Sequence, residues 1–294
     1  MTQEKVGFVG LGLMGHGMAK NIVEKGYPLS VVAHRKRAAV DDLVARGARE
    51  AASLEELARN CTVILMCLTG SPEVAAAVAA LKPGLTPGAV VVDCSTSDPT
   101  VSLRLAAELA EIGVDFVDAP LSRTPKEAWA GTLDCMVGAS DAVFARVQPI
   151  IATWAAKIVH IGAVGDGHKM KLLNNFLSLG YAALYSEALA LSRKVGIPVA
   201  EFDKVIRGGR MDCGFYQTFM GYALEGNREA HKFTLANAYK DMRYVESMAN
   251  SATVATPMAS AVKNSFALAM ATGGDGPEDY VPHLSDFIAR ANGL

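Results

Sequence analysis

Three glycines, Gly10, Gly12 and Gly15, separate the apolar run at 6–9 from a stretch of helical spacing that ends near Lys25, with Gly26 suited to cap it. A strand, a turn of the form G-x-G-x-x-G and a helix, in that order, admit few folds. Two of the glycines allow a tight turn and a close backbone approach to a pyrophosphate, and the third lets the helix lie against the strand. The pattern predicts a dinucleotide-binding turn of Gly10, Leu11, Gly12, Leu13, Met14 and Gly15, with a purely structural tight turn as the alternative.

The segments that follow fit that start. The runs at 29–33, 61–67, 89–94, 114–118, 133–137 and 157–162 are strand-like and mainly apolar, and helices are predicted from Pro72, Asp98 and Ser140. Continuous apolar strands alternating with helices predict a parallel sheet covered on both faces. After Gly162 the strand signal ends, and helices are expected at 168–195, 198–207, 215–224, 234–250, 257–271 and 278–291. The expected fold class is an α/β Rossmann-type doubly wound parallel sheet followed by an all-α C-terminal domain. The domains are placed at 1–163, for the dinucleotide, and 164–294, for substrate and oligomerisation, with a cleft between them. Ligands of such a sheet lie beyond the carboxyl ends of its strands, so the loops at 93–99 and 118–125 should line the site. There Ser95 and Thr96 either cap the next helix or touch the cofactor.

The second strand ends where an NAD enzyme commonly places Asp or Glu on the adenosine ribose, but this chain has His34, Arg35, Lys36 and Arg37. Base in place of acid suits a 2′-phosphate and predicts NADP, NAD remaining possible, unless the cluster only solvates the next helix. Elsewhere charge argues against large partners. A net charge of -2, with 51% hydrophobic and 20% charged residues, predicts a globular enzyme-sized core and removes the general case for nucleic acid or an anionic membrane. No apolar stretch reaches about 18 residues and the start reads as no signal peptide, which predicts a cytoplasmic protein. The five cysteines, without a C-x-x-C pair, read as reduced core thiols, and no metal site is expected.

Near the start of the longest helical pattern, Lys171, Asn174, Asn175 and Ser178 fall at i, i+3, i+4 and i+7 and so share one face. A cation, two amides and a hydroxyl suit a small oxygen-rich ligand, although a helical lysine is more often a solvated surface residue.

Four stretches, in order along the chain, resemble the β-hydroxyacid dehydrogenase family, the group of 3-hydroxyisobutyrate dehydrogenase and tartronate semialdehyde reductase. They are GFVGLGLMGHGMAKN, DCST at 93–96, the G-x-G-x-x-x-K-x-x-N-N pattern from Gly165 to Asn175, and FTLANAYKD at 233–241. The resemblance implies that Lys171 is catalytic, Asn175 a substrate ligand, Thr96 a neighbour of the nicotinamide and Lys240 a residue near both cofactor and substrate. It also implies a homodimer or homotetramer built on the helical domain. Leu68, in the loop before Thr69, is assigned to the cofactor and Asn174 to the substrate. Two departures stand out. Ser122-Arg123-Thr124 replaces the family's S-G-G in the substrate loop, similar to sulfolactaldehyde reductases, and Thr69 stands where Pro is usual. A fixed positive fork at Arg123 favours a small anionic substrate with a carboxylate or sulfonate head, held by Ser122, Arg123 and Thr124.

The expected chemistry is hydride transfer between a nicotinamide and a 3-hydroxy acid or semialdehyde, with Lys171 as general acid and base. Burial, Lys240 and Arg123 are expected to lower the Lys171 pKa. Two rivals are an imine reductase, which generally lacks the Lys-x-x-Asn-Asn face, and a non-catalytic binding or scaffold descendant, which should have lost Lys171. For 6-phosphogluconate dehydrogenase the chain is too short.

Overall fold

The structure, a computed structural model, describes residues 3–34 and 37–294. It divides into two compact units, the first ending at Lys171 and the second beginning at Leu172.

The first unit is built on a sheet of β1 (Val6–Val9), β2 (Leu29–Val32), β3 (Arg49–Ala51), β4 (Val63–Met66), β5 (Val90–Asp93), β6 (Asp115–Asp118), β7 (Leu121–Ser122), β8 (Leu133–Gly138) and β9 (Ala155–Gly162). Its order is β3-β2-β1-β4-β5-β6-β8-β7, with β9 on β8. Strands β1 to β6 all run parallel. Because side chains alternate across a strand, Val63 and Leu65 enter one apolar cluster with Phe8 and Val92, and Ile64 and Met66 enter another with Val9 and Val91. Both faces are therefore buried, which is why these strands read as unbroken apolar runs. The chain leaves β1 toward β2 and β3, then returns to β4 on the other side, so the switch point where such sheets bind ligands lies between β1 and β4.

The sheet is parallel-dominated, but β8 runs antiparallel to β6 and β7, with Leu121 opposite Cys135 and Ser122 opposite Asp134. The elements at 49–51, 54–60, 121–122 and 125–130 were not predicted from the sequence, being too short for periodicity to register. Two of them carried a signal nonetheless: Ser53 and Thr124 cap the helices Leu54–Asn60 and Pro125–Ala130, each with Glu three residues on.

The second unit holds the remainder of the helix Asp166–Lys194, then helices Val199–Ile206, Gly214–Ala223, Leu235–Ser251, Pro257–Ala271 and Leu284–Ala291. Leu179, Tyr216, Phe219, Met242 and Phe266 are fully buried among them. The expected helix at 278–291 is shorter: Val281–His283 is a 3₁₀ turn, and only then does the α-helix start. Pro282 at its first positions lacks the N–H that a longer helix would use. Among the described residues, no helix is long and apolar enough to cross a membrane.

Candidate active site

The glycine turn leaves room for a phosphate. Gly10 has φ +96°, and a Cβ there would sit 2.2 Å from the Cys67 carbonyl oxygen; one on Gly15 would sit 2.0 Å from that of Gly10. Only glycine lets the turn fold this tightly against the ends of β1 and β4. Around Gly12, by contrast, nothing stands within 4 Å, and Leu13 is exposed. The helix Gly15–Glu24 has no side-chain cap and no acid in its first turn, so its dipole is left for an anion. These residues fit a dinucleotide pyrophosphate. Gly17, which the sequence reading passed over, has a second duty: a Cβ there would meet the Ala128 backbone at 2.7 Å, so the helix packs directly on Pro125–Ala130.

Beyond the ends of β5 and β6 lies a buried polar network. Asp93 and Asp118, paired in register, are wholly buried. Asp93 accepts from the Ser95 amide at 2.9 Å and the Ser97 hydroxyl at 2.7 Å. Asp118 accepts from the amides of Gly165 at 2.6 Å and His168 at 2.7 Å, and so caps the helix Asp166–Lys194 across the chain. Burial pushes the Asp118 carboxyl up, against the opposing influence of His168 and those amides. Gly167 is required because its Cβ would meet the Met136 and Asp118 carbonyl oxygens at 2.6 and 2.8 Å. Leu68 donates its amide to Ser95 Oγ at 2.9 Å, so the loops after β4 and β5 are joined. Ser95 is thus held structurally, and the cap of the next helix is Asp98 rather than Ser95 or Thr96. Thr96 is half-buried and engaged.

In the loop expected to hold the substrate, Arg123 has φ +89°, one of two non-glycine residues in the left-handed region among the described residues. This is a conformation suited to glycine, held here by an arginine. Arg123 Nε lies 3.0 Å from Asp134 Oδ2, and this carboxylate raises the guanidinium pKa further. Ser122 Oγ and the other Asp134 oxygen are both buried without a hydrogen-bond partner. Thr124 Oγ1 serves the capping box with Glu127. Asp134 escaped the sequence reading because only the β7–β8 register sets it opposite Ser122.

On the long helix the four residues expected on one face differ in exposure. Lys171 is half-buried, Asn174 exposed, and Asn175 5% exposed. The Ser178 hydroxyl donates back to the Asn175 carbonyl at 3.2 Å, so it serves its own helix. Asn175 Nδ2 donates to Asp241 Oδ2 at 2.7 Å, and Lys240 Nζ lies 3.0 Å from Asp241 Oδ1 and over the Tyr244 ring. Arg123 and Lys240 are thus each paired with a carboxylate, Asp134 and Asp241 respectively.

Of the basic cluster after β2, His34 is exposed, and Arg35 and Lys36 lie outside the described residues. Arg37 grips Glu50 at 3.0 and 2.9 Å and Asp41 at 3.1 Å, so its fork is engaged within the protein. Cys61, Cys94 and Cys135 are buried and Cys67 half-buried, but Cys213 is exposed as the N-cap of Gly214–Ala223, a departure from the all-core expectation. Among the described residues, no group of three or more His, Cys, Asp or Glu is placed to hold a metal.

The chain matches two family models, the NAD binding domain of 6-phosphogluconate dehydrogenase at residues 5–162 and the NAD-binding of NADP-dependent 3-hydroxyisobutyrate dehydrogenase at 165–282. It is 32% identical to 2-(hydroxymethyl)glutarate dehydrogenase of Eubacterium barkeri over 77% of this chain and 83% of that one. It is 29% identical to 3-sulfolactaldehyde reductase of Escherichia coli K12, covering 97% and 96%. In fold it is similar to Mycobacterium tuberculosis 3-hydroxyisobutyrate dehydrogenase in a structure with L-serine, with a TM-score of 0.86, 24% identity, and coverage of 97% and 99%.

Proposed function

The chain belongs to the β-hydroxyacid dehydrogenase family of NAD(P)-dependent oxidoreductases, and from that premise we propose that it interconverts a small anionic 3-hydroxy acid and its semialdehyde with Lys171 as general acid and base. The nicotinamide, when bound, supplies or takes the hydride. The protein's part is to hold the substrate and move one proton. In reduction the Lys171 ammonium donates to the carbonyl oxygen; in oxidation its neutral amine takes the alcohol proton. Asn175 orients the reacting oxygen, with Asn174 and Lys240 at its sides. Ser122, Arg123 and Thr124 hold the anionic head, and Arg123 favours a sulfonate or carboxylate through its planar fork. The turn from Gly10 to Gly15, with Leu68, Thr96 and Lys240, holds the cofactor.

The observation that carries this reading is the fixed amide of Asn175. It follows Lys171 by one helical turn, is buried, and donates to Asp241, so its two ends are not interchangeable. An amide held in one sense suits recognition of one particular oxygen.

His34, Arg35 and Lys36 support NADP over NAD. A homodimer or homotetramer is supported by Leu173, Leu177, Tyr181, Leu184 and Leu191, which are exposed along the same long helix. The buried thiols support a reducing, cytoplasmic location.

The test is loss of NADPH absorbance with short aldehydes bearing carboxylate or sulfonate, beside cyclic imines. Turnover of the anionic aldehydes is expected, falling by about 10²-fold or more in Lys171→Ala with NADPH binding retained. Turnover of the imines alone, or a fully active variant, overturns the reading.

A further inference from the structure

His168 is wholly buried, and its ring meets three other parts of the first unit. Nε2 lies 3.1 Å from the Ser95 carbonyl oxygen, which can only accept, so Nε2 carries a hydrogen and donates it. Nδ1 lies 2.8 Å from the Ser102 hydroxyl. The carboxylates of Asp93 and Asp118 flank the ring, each with an oxygen 3.8 Å from a ring nitrogen. The backbone of the same residue is fixed too, its amide donating to Asp118 Oδ2 at 2.7 Å.

These contacts make His168 a strut. One end is the first turn of the Asp166–Lys194 helix, where Lys171 follows three residues later on the neighbouring surface position. The other end is the Ser95 carbonyl, whose peptide bond is shared with Thr96. Ser95 is also the residue that ties down Leu68. Asp93, Asp118 and Ser102 complete the surround, so the ring cannot leave its place without breaking the buried hydrogen bonds to Ser95 and Ser102.

We propose that His168 is a positioning residue that sets the spacing between the Leu68 and Ser95–Thr96 loops and the helical turn carrying Lys171. Its effect on turnover rests on the roles given above to Thr96 and Lys171; its mechanical effect does not. The ring is the right length to bridge β5's loop and the helix, and a donor at Nε2 is the essential atom. Glutamine can present a donor amide to the Ser95 carbonyl, whereas alanine leaves that carbonyl buried without a partner.

The experiment compares His168→Ala, His168→Gln and Ser102→Ala with the full-length enzyme by hydrogen exchange, kcat, the KM for NADPH and thermal unfolding, with Lys171→Ala alongside. Alanine at 168 is expected to speed exchange by about tenfold or more both at 93–98 and at 165–172, a loosening of both ends at once. It should lower kcat by about 10–100-fold while the NADPH KM moves by less than about threefold, the mark of lost alignment rather than lost binding. Glutamine should recover most of both effects. Ser102→Ala, which leaves the ring in place, should give a smaller change of the same kind and carries the test if alanine at 168 does not fold. Faster exchange confined to 165–172, or no recovery by glutamine, overturns the proposal. A fully active Lys171→Ala overturns the catalytic role of Lys171 instead, while the paired exchange result still decides whether His168 couples the two segments.

Discussion

Asn175 and Asp241, 66 positions apart, are joined by a buried hydrogen bond of 2.7 Å from the amide nitrogen to the carboxylate. Asp241 is itself fully buried and takes Lys240 on its other oxygen at 3.0 Å. One carboxylate thus orients two of the side chains assigned to the substrate. A charge-assisted bond of this kind is worth about 1.5–3 kcal/mol, enough to hold the amide in one sense.

Asp241→Asn should therefore retain the fold yet lower kcat/KM by about 10²-fold, since an amide partner no longer dictates which end of Asn175 faces away and leaves Lys240 without its counter-ion. Steady-state kinetics beside circular dichroism decide it. An unchanged kcat/KM in a folded variant would remove Asp241 from the site.

Arg123 holds a left-handed backbone, φ +89°, that costs a non-glycine residue about 1–3 kcal/mol. Its pair with Asp134 is half exposed and returns about 0–1 kcal/mol. Arg123→Gly is expected to leave thermal stability unchanged or slightly higher, and to cut kcat/KM for a sulfonate aldehyde by about tenfold or more with a lesser loss for a small carboxylate. Equal loss for both head groups would make Arg123 a structural residue of the β7–β8 edge.

These relationships mark the boundary of what the residues disclose when read in a line. The turn from Gly10 to Gly15 was legible because its chemistry is local: strand, glycines and helix are contiguous. The carboxyl ends of β5 and β6 were legible for a similar reason, each apolar run closing on an Asp. By contrast, the partners of Asp118 are 47 and 50 positions away, and the hydrogen-bond partners of the Asn175 side chain and the His168 ring 66 or more, so no spacing announces them. Arg37 read as a phosphate ligand by its neighbours, but β3 brings Glu50 to it, and β3 was too short to predict. Thr124 is the instructive case, for the capping-box pattern Thr-Pro-Lys-Glu was in plain view within a stretch taken as a loop.

With Arg37 engaged by Glu50 and Asp41, the preference for NADP falls to His34, Arg35 and Lys36. NADPH should support a kcat/KM at least about tenfold above NADH, the worth of one charge-assisted contact to the 2′-phosphate. Arg37→Ala should leave that ratio within about twofold, because its guanidinium is committed to a surface pair of small energy. A ratio near one in the parent enzyme, or its collapse on changing Arg37, contradicts this assignment.

In the second unit His283 is 2% exposed and its neutral form is the one its partners describe: the Tyr280 amide donates to Nδ1 at 3.2 Å, and Nε2 donates to the Arg228 carbonyl at 3.1 Å. Burial lowers its pKa below the ordinary 6.5, and the Arg228 side chain adds to this, while the Arg228 carbonyl, Asp279 and Asp286 oppose it. A histidine depressed in the folded state binds fewer protons there than in the unfolded chain. Its contribution to stability is therefore complete above pH 6.5 and is lost as pH falls through the lower folded value. Melting curves of the parent and of His283→Gln should diverge on acidification below pH 6.5, the parent losing more, since the glutamine has no proton to bind. Every other titrating group is common to both proteins, so parallel curves would mean that His283 is already free to charge in the folded enzyme.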